Sequence, residues 1–228
     1  MDLQQHIKSA ILLQRGMLAL GKSASWRALT PTIDTGIAMS IQTSFIDTNG
    51  LVHIHNNAPS TVGFYVVPDY IKLIVTAAGA TTTSSEYAIA IDDVNGRFSS
   101  GGSVLSSVPT NTKFLTQSNT TVIRAGALTL VAAGGNRKIT NHGIVKIAAA
   151  PVFAVGDEIL FSFLDPASAP YLSGAFLTTP GKVGIQCRPV AVGPQTCAIL
   201  HVWNPANAVT PPSFEVEVAW HEVEDLNA

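Results

Sequence analysis

The run Glu158-Ile159-Leu160-Phe161-Ser162-Phe163, introduced by Pro151-Val152-Phe153-Ala154-Val155-Gly156-Asp157, decides the fold. Pro151 and the Gly156-Asp157 pair punctuate the chain there. Residues 158–163 are dense in the apolar and aromatic side chains that fit a pleated, half-buried surface. The same texture returns in Thr196-Cys197-Ala198-Ile199-Leu200-His201-Val202-Trp203 and in Ser213-Phe214-Glu215-Val216-Glu217-Val218-Ala219-Trp220. The centre of the molecule is β-sheet.

Working outward, Ile37, Met39, Ile41 and Thr43 alternate with small or polar residues. Residues 62–67 and 71–77 are apolar runs, and Pro68-Asp69-Tyr70 between them reads as a turn because Pro and Asp favour one. Residues 86–92 read as a strand, and Asn95-Gly96 after it is a hairpin signal of the kind that accepts positive φ. Residues 99–121, which begin Ser-Ser-Gly-Gly-Ser, read as a long polar loop, functional or disordered in a compact domain. Further strands are expected over 122–131, 138–147, 158–163, 182–187, 197–203 and 214–223. There is no helical pattern beyond residue 30. The spacing predicts an all-β chain, a jelly-roll-like antiparallel β-sandwich forming one domain over residues 31–228. Residues 1–30 predict an N-terminal arm, a short helix or an extended segment, because Leu3, Ile7, Ile11 and Leu18 recur at near-helical spacing.

Composition narrows the function. The chain has 228 residues, of which 12% are charged and 46% hydrophobic. About a quarter charged is usual. A surface this poor in charge is covered by Ser, Thr, Asn and Gly, or by another subunit. Net charge is −2, against a nucleic-acid binder with its basic domain or stripe. No stretch approaches the roughly 20 apolar residues of a membrane span. The first apolar run is short and broken by Gln, Lys and Arg, so no signal peptide is expected. Cys187 and Cys197 flank a Pro- and Gly-containing bend; a disulfide is geometrically open to them, but reduced core thiols are expected. Lys8, Arg15, Lys22 and Arg27 face a single acid, Asp2, in the first thirty residues, whereas the last dozen carry Glu217, Glu222, Glu224 and Asp225. That asymmetry suits an arm reaching to an acidic neighbour, or simply a solvated face.

Several motifs imitate active sites. Gly16-Met17-Leu18-Ala19-Leu20-Gly21-Lys22-Ser23 matches the phosphate-loop spacing, and Ala88-Ile89-Ala90-Ile91-Asp92 could pose as its Mg²⁺-binding strand. The loop works only between a strand and a helix, and Pro31 cuts short any helix beginning after Ser23. His53-x-His55 puts two imidazoles on one face of a strand, as in cupin-type metal sites, with His142, His201, His221 and Glu222 nominally available. Asp92-Asp93-Val94-Asn95-Gly96 opens like a calcium loop but lacks the closing acid, so the turn reading wins. There is no G-x-S-x-G elbow and no histidine near either cysteine in sequence. The chain is not read as an enzyme, and no cofactor or metal is expected. Trp203 and Trp220 end apolar strands and read as core or interface anchors.

The segments Tyr65–Gly79, Asn95–Gly102, Ala125–Leu130, Val155–Glu158, His201–Pro205 and Phe214–Trp220 resemble virion structural proteins of short-tailed bacteriophages. The resemblance covers roughly residues 60–225. It implies a capsid decoration or cement protein of the virion exterior, made in the host cytoplasm, trimeric, and clamping the major capsid protein. It brings no catalytic residue. Candidate interaction residues are Leu3, Ile7, Ile11, Arg15, Trp26 and Arg27 in the arm, with Trp203 and Trp220. A glycan-binding fibre module, using residues 99–121 with Tyr70 and Trp203, and a jelly-roll capsid protein are the alternatives.

Overall fold

The computed structural model describes residues 24–29, 33, 35–61, 64–79, 85–110, 119–145, 153–164, 181–205 and 210–224. These form two sheets packed face to face. One has the order β11 (Lys182–Gln186), β10 (Glu158–Ser162), β4 (Phe64–Ala77), β13 (Ser213–Glu224), β1 (Ala24–Leu29), β7 (Ser106–Pro109), with β2 (Ile37–Ala38) joined to β13. The other runs β6 (Phe98–Val104), β8 (Thr121–Leu130), β3 (Asn49–Asn56), β12 (Cys197–Trp203), β5 (Ser85–Asp92), β9 (Lys138–Val145). Strands distant in sequence lie side by side at the middle of each sheet, β3 beside β12 and β4 beside β13. Successive strands from β3 to β5 change sheets, the wrapping expected of a jelly roll. All pairs are antiparallel except β10 with β11, which is parallel.

Period-two alternation builds the core. Ile71, Leu73 and Val75 of β4, Phe214, Val216, Val218 and Trp220 of β13, and Ile159 and Phe161 of β10 point inward. They meet Val52 and Ile54 of β3, Ile123 of β8, Tyr87 and Ile89 of β5, and Leu200 and Val202 of β12. Tyr87 meets Phe161 edge to face across the sandwich, centroids 5.1 Å apart. Each such burial contributes about 1.5–3 kcal/mol. At the opening turn, Gly156 has φ 91 and Asp157 accepts the Ala154 N–H at 2.6 Å. Gly156 donates to Val75 O and Val75 to Asp157 O, hooking the turn onto β4. A second apolar cluster, Leu128, Leu130, Cys197 and Ile199 with Phe98, lies on the back of the six-stranded sheet. Strand β12 is therefore buried on both faces, which accounts for a sequence apolar at every position but His201.

Several expectations are corrected. Pro68-Asp69-Tyr70 is not a turn: β4 runs unbroken through it. Tyr70 pairs with Ala219 and Pro68 with Trp220, so Asp69 is the extra residue of a β-bulge that admits the proline. Asn95-Gly96 does turn, Gly96 at φ 76, but joins no hairpin, because β8, β3 and β12 lie between β5 and β6. Residues 99–121 are not one loop. They contain β6 and β7, an edge strand of each sheet, linked through the buried Leu105. Of 37–43 only Ile37–Ala38 is strand; Gln42 beyond it bonds Val202 O and Asn204 N. The sandwich also begins before residue 31, because β1 pairs with both β13 and β7. The rest of the expected arm, residues 1–23, lies outside the described residues.

Candidate functional site

Of the residues expected to interact, Leu3, Ile7, Ile11 and Arg15 lie outside the described residues, as does the phosphate-loop match at 16–23. Trp26 and Trp220 are cross-strand partners on β1 and β13 and are buried in the inter-sheet core. Trp203 is buried on the back of the six-stranded sheet, stacked on His142 at 5.7 Å and met edge-on by Phe45. All three tryptophans therefore pack inside the protomer. Strand parity turns the first two inward, and the segment carrying Phe45 covers the third. A glycan platform at Trp203 has no free ring face.

Arg27 has the opposite parity and emerges on the outer face of the seven-stranded sheet. Its Nε lies 2.7 Å from Glu217 Oε1, while Lys72 Nζ lies 2.6 Å from Oε2 and Tyr70 OH donates to the same carboxylate. Burial alone would raise the Glu217 pKa, but these three donors outweigh it and hold the carboxyl below its ordinary range. With Glu158, Leu160 and Lys182 these residues line a groove of about 390 Å³. Lys182 pairs with Glu158 at 3.1 Å. Glu217 is thus an ionised anchor joining β1, β13 and β4, not a carboxyl poised to donate a proton.

The back of the six-stranded sheet gathers most of the remaining polar groups. Arg97, 0% exposed, donates from Nη1 to Asp92 Oδ2 at 2.5 Å and from Nη2 to Asp47 O and Oδ2 at 2.8 and 3.1 Å. Asp92 also accepts Val94 N and Gly134 N; Asp47 also accepts Ala133 N and bonds Arg137. Asp92 is thus an arginine partner and a turn cap, not a magnesium or calcium ligand. The role of Arg97 is not legible in the sequence alone; the one signal there is an Asp and an Arg flanking the Asn-Gly turn.

His53 and His55 do share a face, their rings stacked at 5.8 Å, but the other candidate ligands are elsewhere. His142 lies on Trp203, His201 Nδ1 is bonded to Asn49 O at 2.8 Å, and His221 Nδ1 is 2.8 Å from Asp69 on the other sheet. Glu222 accepts from Thr121 Oγ1 at 2.6 Å and ties the two sheets together. Among the described residues no three His, Cys, Asp or Glu side chains converge on a cation position. Burial lowers the His53 pKa to about 3 and the His201 pKa to about 4. Both cysteines are free, Cys187 in the inter-sheet core and Cys197 in the rear cluster, each pushed up to about 12 by burial.

The surface that stands out is the sheet edge. On one side β6 and β7 end their sheets, with Val104 58% and Val108 51% exposed. On the other, β9 ends the six-stranded sheet, with Ile144 54% and Ile139 43% exposed. Glycines 101 and 102, at φ 82 and 61, bulge β6 against β8. Comparison with protein-family models, with curated proteins and with solved structures finds no match.

Proposed function

We propose that this chain is a structural subunit of a virion, a decoration or cement protein that assembles with copies of itself and clamps neighbouring capsid subunits. The observation that carries the assembling part is the pair of edges, on opposite sides of the sandwich, that no described strand covers. An edge strand presents a row of N–H and C=O groups, and proteins that must stay monomeric blunt such edges with charge. Here Val104 and Val108 are exposed on an edge whose residues 98–110 carry no charge, and Ile139 and Ile144 are exposed on β9 with a single lysine, Lys138, beside them. An interface joining one edge to the opposite edge of the next copy is heterologous and closes into a ring when the rotation permits, in keeping with a trimer. The likeness of residues 60–225 to short-tailed phage virion proteins supplies the capsid as partner.

The test is mass by light scattering on the full chain and on Val104→Lys/Ile144→Lys, with co-sedimentation on capsid shells. The reading requires a trimer that the double variant dissociates and that binds shells. A folded monomer that ignores shells refutes it.

A further inference from the structure

Behind β3 lies a cluster that the proposed function does not use. His53 is 1% exposed, and among the described residues neither of its ring nitrogens has a partner; the same holds for His55 Nε2. A polar group buried without a partner lowers the stability of the closed arrangement. The rings stack on each other, and Phe98 covers His53 at 6.4 Å. The Arg124 guanidinium rests on Phe98, 4.1 Å from its centroid.

The groups facing the pair come from every neighbouring element. Strand β8 brings Arg124, directly opposite His53. Strand β12 brings Cys197 opposite His55 and Ile199 opposite His53, with His201 further along. The crossing from β5 to β6 brings Asn95, which bonds His55, and Arg97. The acids nearby, Asp92 and Asp47, are engaged with Arg97 and Arg137. A proton arriving on His53 therefore meets cations and apolar surface, and one arriving on His55 meets Asn95 besides; among the described residues no free carboxylate receives either.

We propose that this face is an acid-opened flap: protonation of the His53–His55 pair lifts Phe98 and the 93–97 crossing off β3 while the inter-sheet core stays closed. The direction comes from linkage. Closed, burial first holds both histidines below their ordinary value, joined for His53 by the neighbouring His55 and then Arg124, and for His55 by Arg124; His53 lies at about 3. Open, each takes a proton near the ordinary 6.5, so the closed form is favoured fully above about 6.5 and progressively less as pH falls below it. Opening exposes Phe98, Leu128, Leu130 and Ile199. The geometry places the break there because β6 is an edge strand, whereas the core beneath is held between two sheets.

The experiment is an acid titration of the full chain, followed by anilinonaphthalene sulfonate fluorescence, far-ultraviolet circular dichroism and hydrogen exchange corrected for intrinsic pH dependence. Dye emission rises about threefold or more between roughly pH 6 and pH 4, before the sheet signal falls. In the same interval residues 93–104 lose protection while 64–77 and 213–224 keep theirs. The variant His53→Phe/His55→Phe, which keeps the aromatic stack and cannot charge, lacks the step. Survival of the step in that variant overturns the proposal. So does simultaneous loss of protection in β4, β13 and residues 93–104, a wild-type measurement that decides even if the variant does not fold.

Discussion

Replacing Arg97 by Met removes a buried cation while keeping a long apolar side chain in its place. The expected loss can be worked from the partners left behind. Breaking a buried ion pair from one side costs about 3–5 kcal/mol, because the other charge stays buried and uncompensated. Asp92, whose side chain is wholly buried, retains only the Val94 and Gly134 amides, at 3.1 and 3.2 Å. Asp47 is better protected: it keeps Arg137 and the Ala133 amide, and it is partly exposed. The sum falls at the lower end, about 3 kcal/mol, nearly all of it from Asp92. With a urea slope of about 2 kcal/mol per molar, the unfolding midpoint drops by roughly 1.5 M. The second half of a mutant cycle isolates the charge. Asp92→Asn is neutral and keeps an acceptor oxygen for one of the two amides, so Arg97→Met/Asp92→Asn recovers about 2 kcal/mol relative to the sum of the single changes. A loss below about 1 kcal/mol for Arg97→Met, or additive losses in the double variant, refutes the assignment of Arg97 as the electrostatic centre of this face.

Other consequences are as direct. His201, at about 4 when folded, stays neutral while the unfolded chain protonates near 6.5; stability present above 6.5 is therefore lost as pH falls toward 4, about 2 kcal/mol of it by pH 5. Urea midpoints at pH 7 and pH 5 should fall by about 1 M more in wild type than in His201→Gln, and equal falls contradict the neutral buried histidine. Gly96→Ala meets nothing within 4 Å and costs only the strain of φ 76, whereas at Gly102 the new Cβ would lie 2.6 Å from Ala125 O. Melting temperatures should separate them, Gly96→Ala losing about 1 kcal/mol and Gly102→Ala clearly more. The two thiols, buried and pushed up to about 12, should react with a thiol reagent only after unfolding, when both label. Labelling of fewer than two thiols in urea without reductant would reveal a disulfide.

How much of the fold and of the candidate site is legible in the sequence depends on whether a residue's role is local. Strands β8 and β13 are readable because one parity of each is the more buried, and burial on one face writes itself as period two; β5 and β12, buried on both faces, read instead as apolar runs. Strand β6 is not, because an edge strand exposed along nearly its whole length has no apolar parity to show, so Ser99-Ser100-Gly101-Gly102-Ser103 reads as loop. Pro68-Asp69 carries the same local preference in a bulge as in a turn, and only the pairing of Tyr70 with Ala219 and Pro68 with Trp220, about 150 residues away, distinguishes them. Asn95-Gly96 reports its backbone conformation correctly and its strand partners wrongly, for the same reason. The inward parity of Trp220 is legible in the alternation Phe214, Val216, Val218 before it, whereas the cover that Phe45 lays over Trp203 is not.

The scarcity of charge, visible at once in the sequence, takes on a sharper meaning in the fold. Arg97, Asp92, Asp47, Arg137, Glu217, Lys72 and Glu222 are all engaged in bonds within the protomer. Charges committed internally screen little of the outside, so the outer surface is poorer in available charge than 12% implies. A chain that depended on charge for solubility as a monomer would reverse that distribution, sending Lys and Glu to its edges. Here the β6–β7 edge carries Val104 and Val108 with no charge, the β9 edge adds Ile139 and Ile144 beside one lysine, Lys138, and the ion pairs staple the covering segments. Internal rigidity with apolar edges favours binding to another surface, because a rigid edge loses little conformational freedom on docking. Adding lysines at those edges should therefore leave the fold's urea midpoint nearly unchanged while abolishing the assembly proposed above.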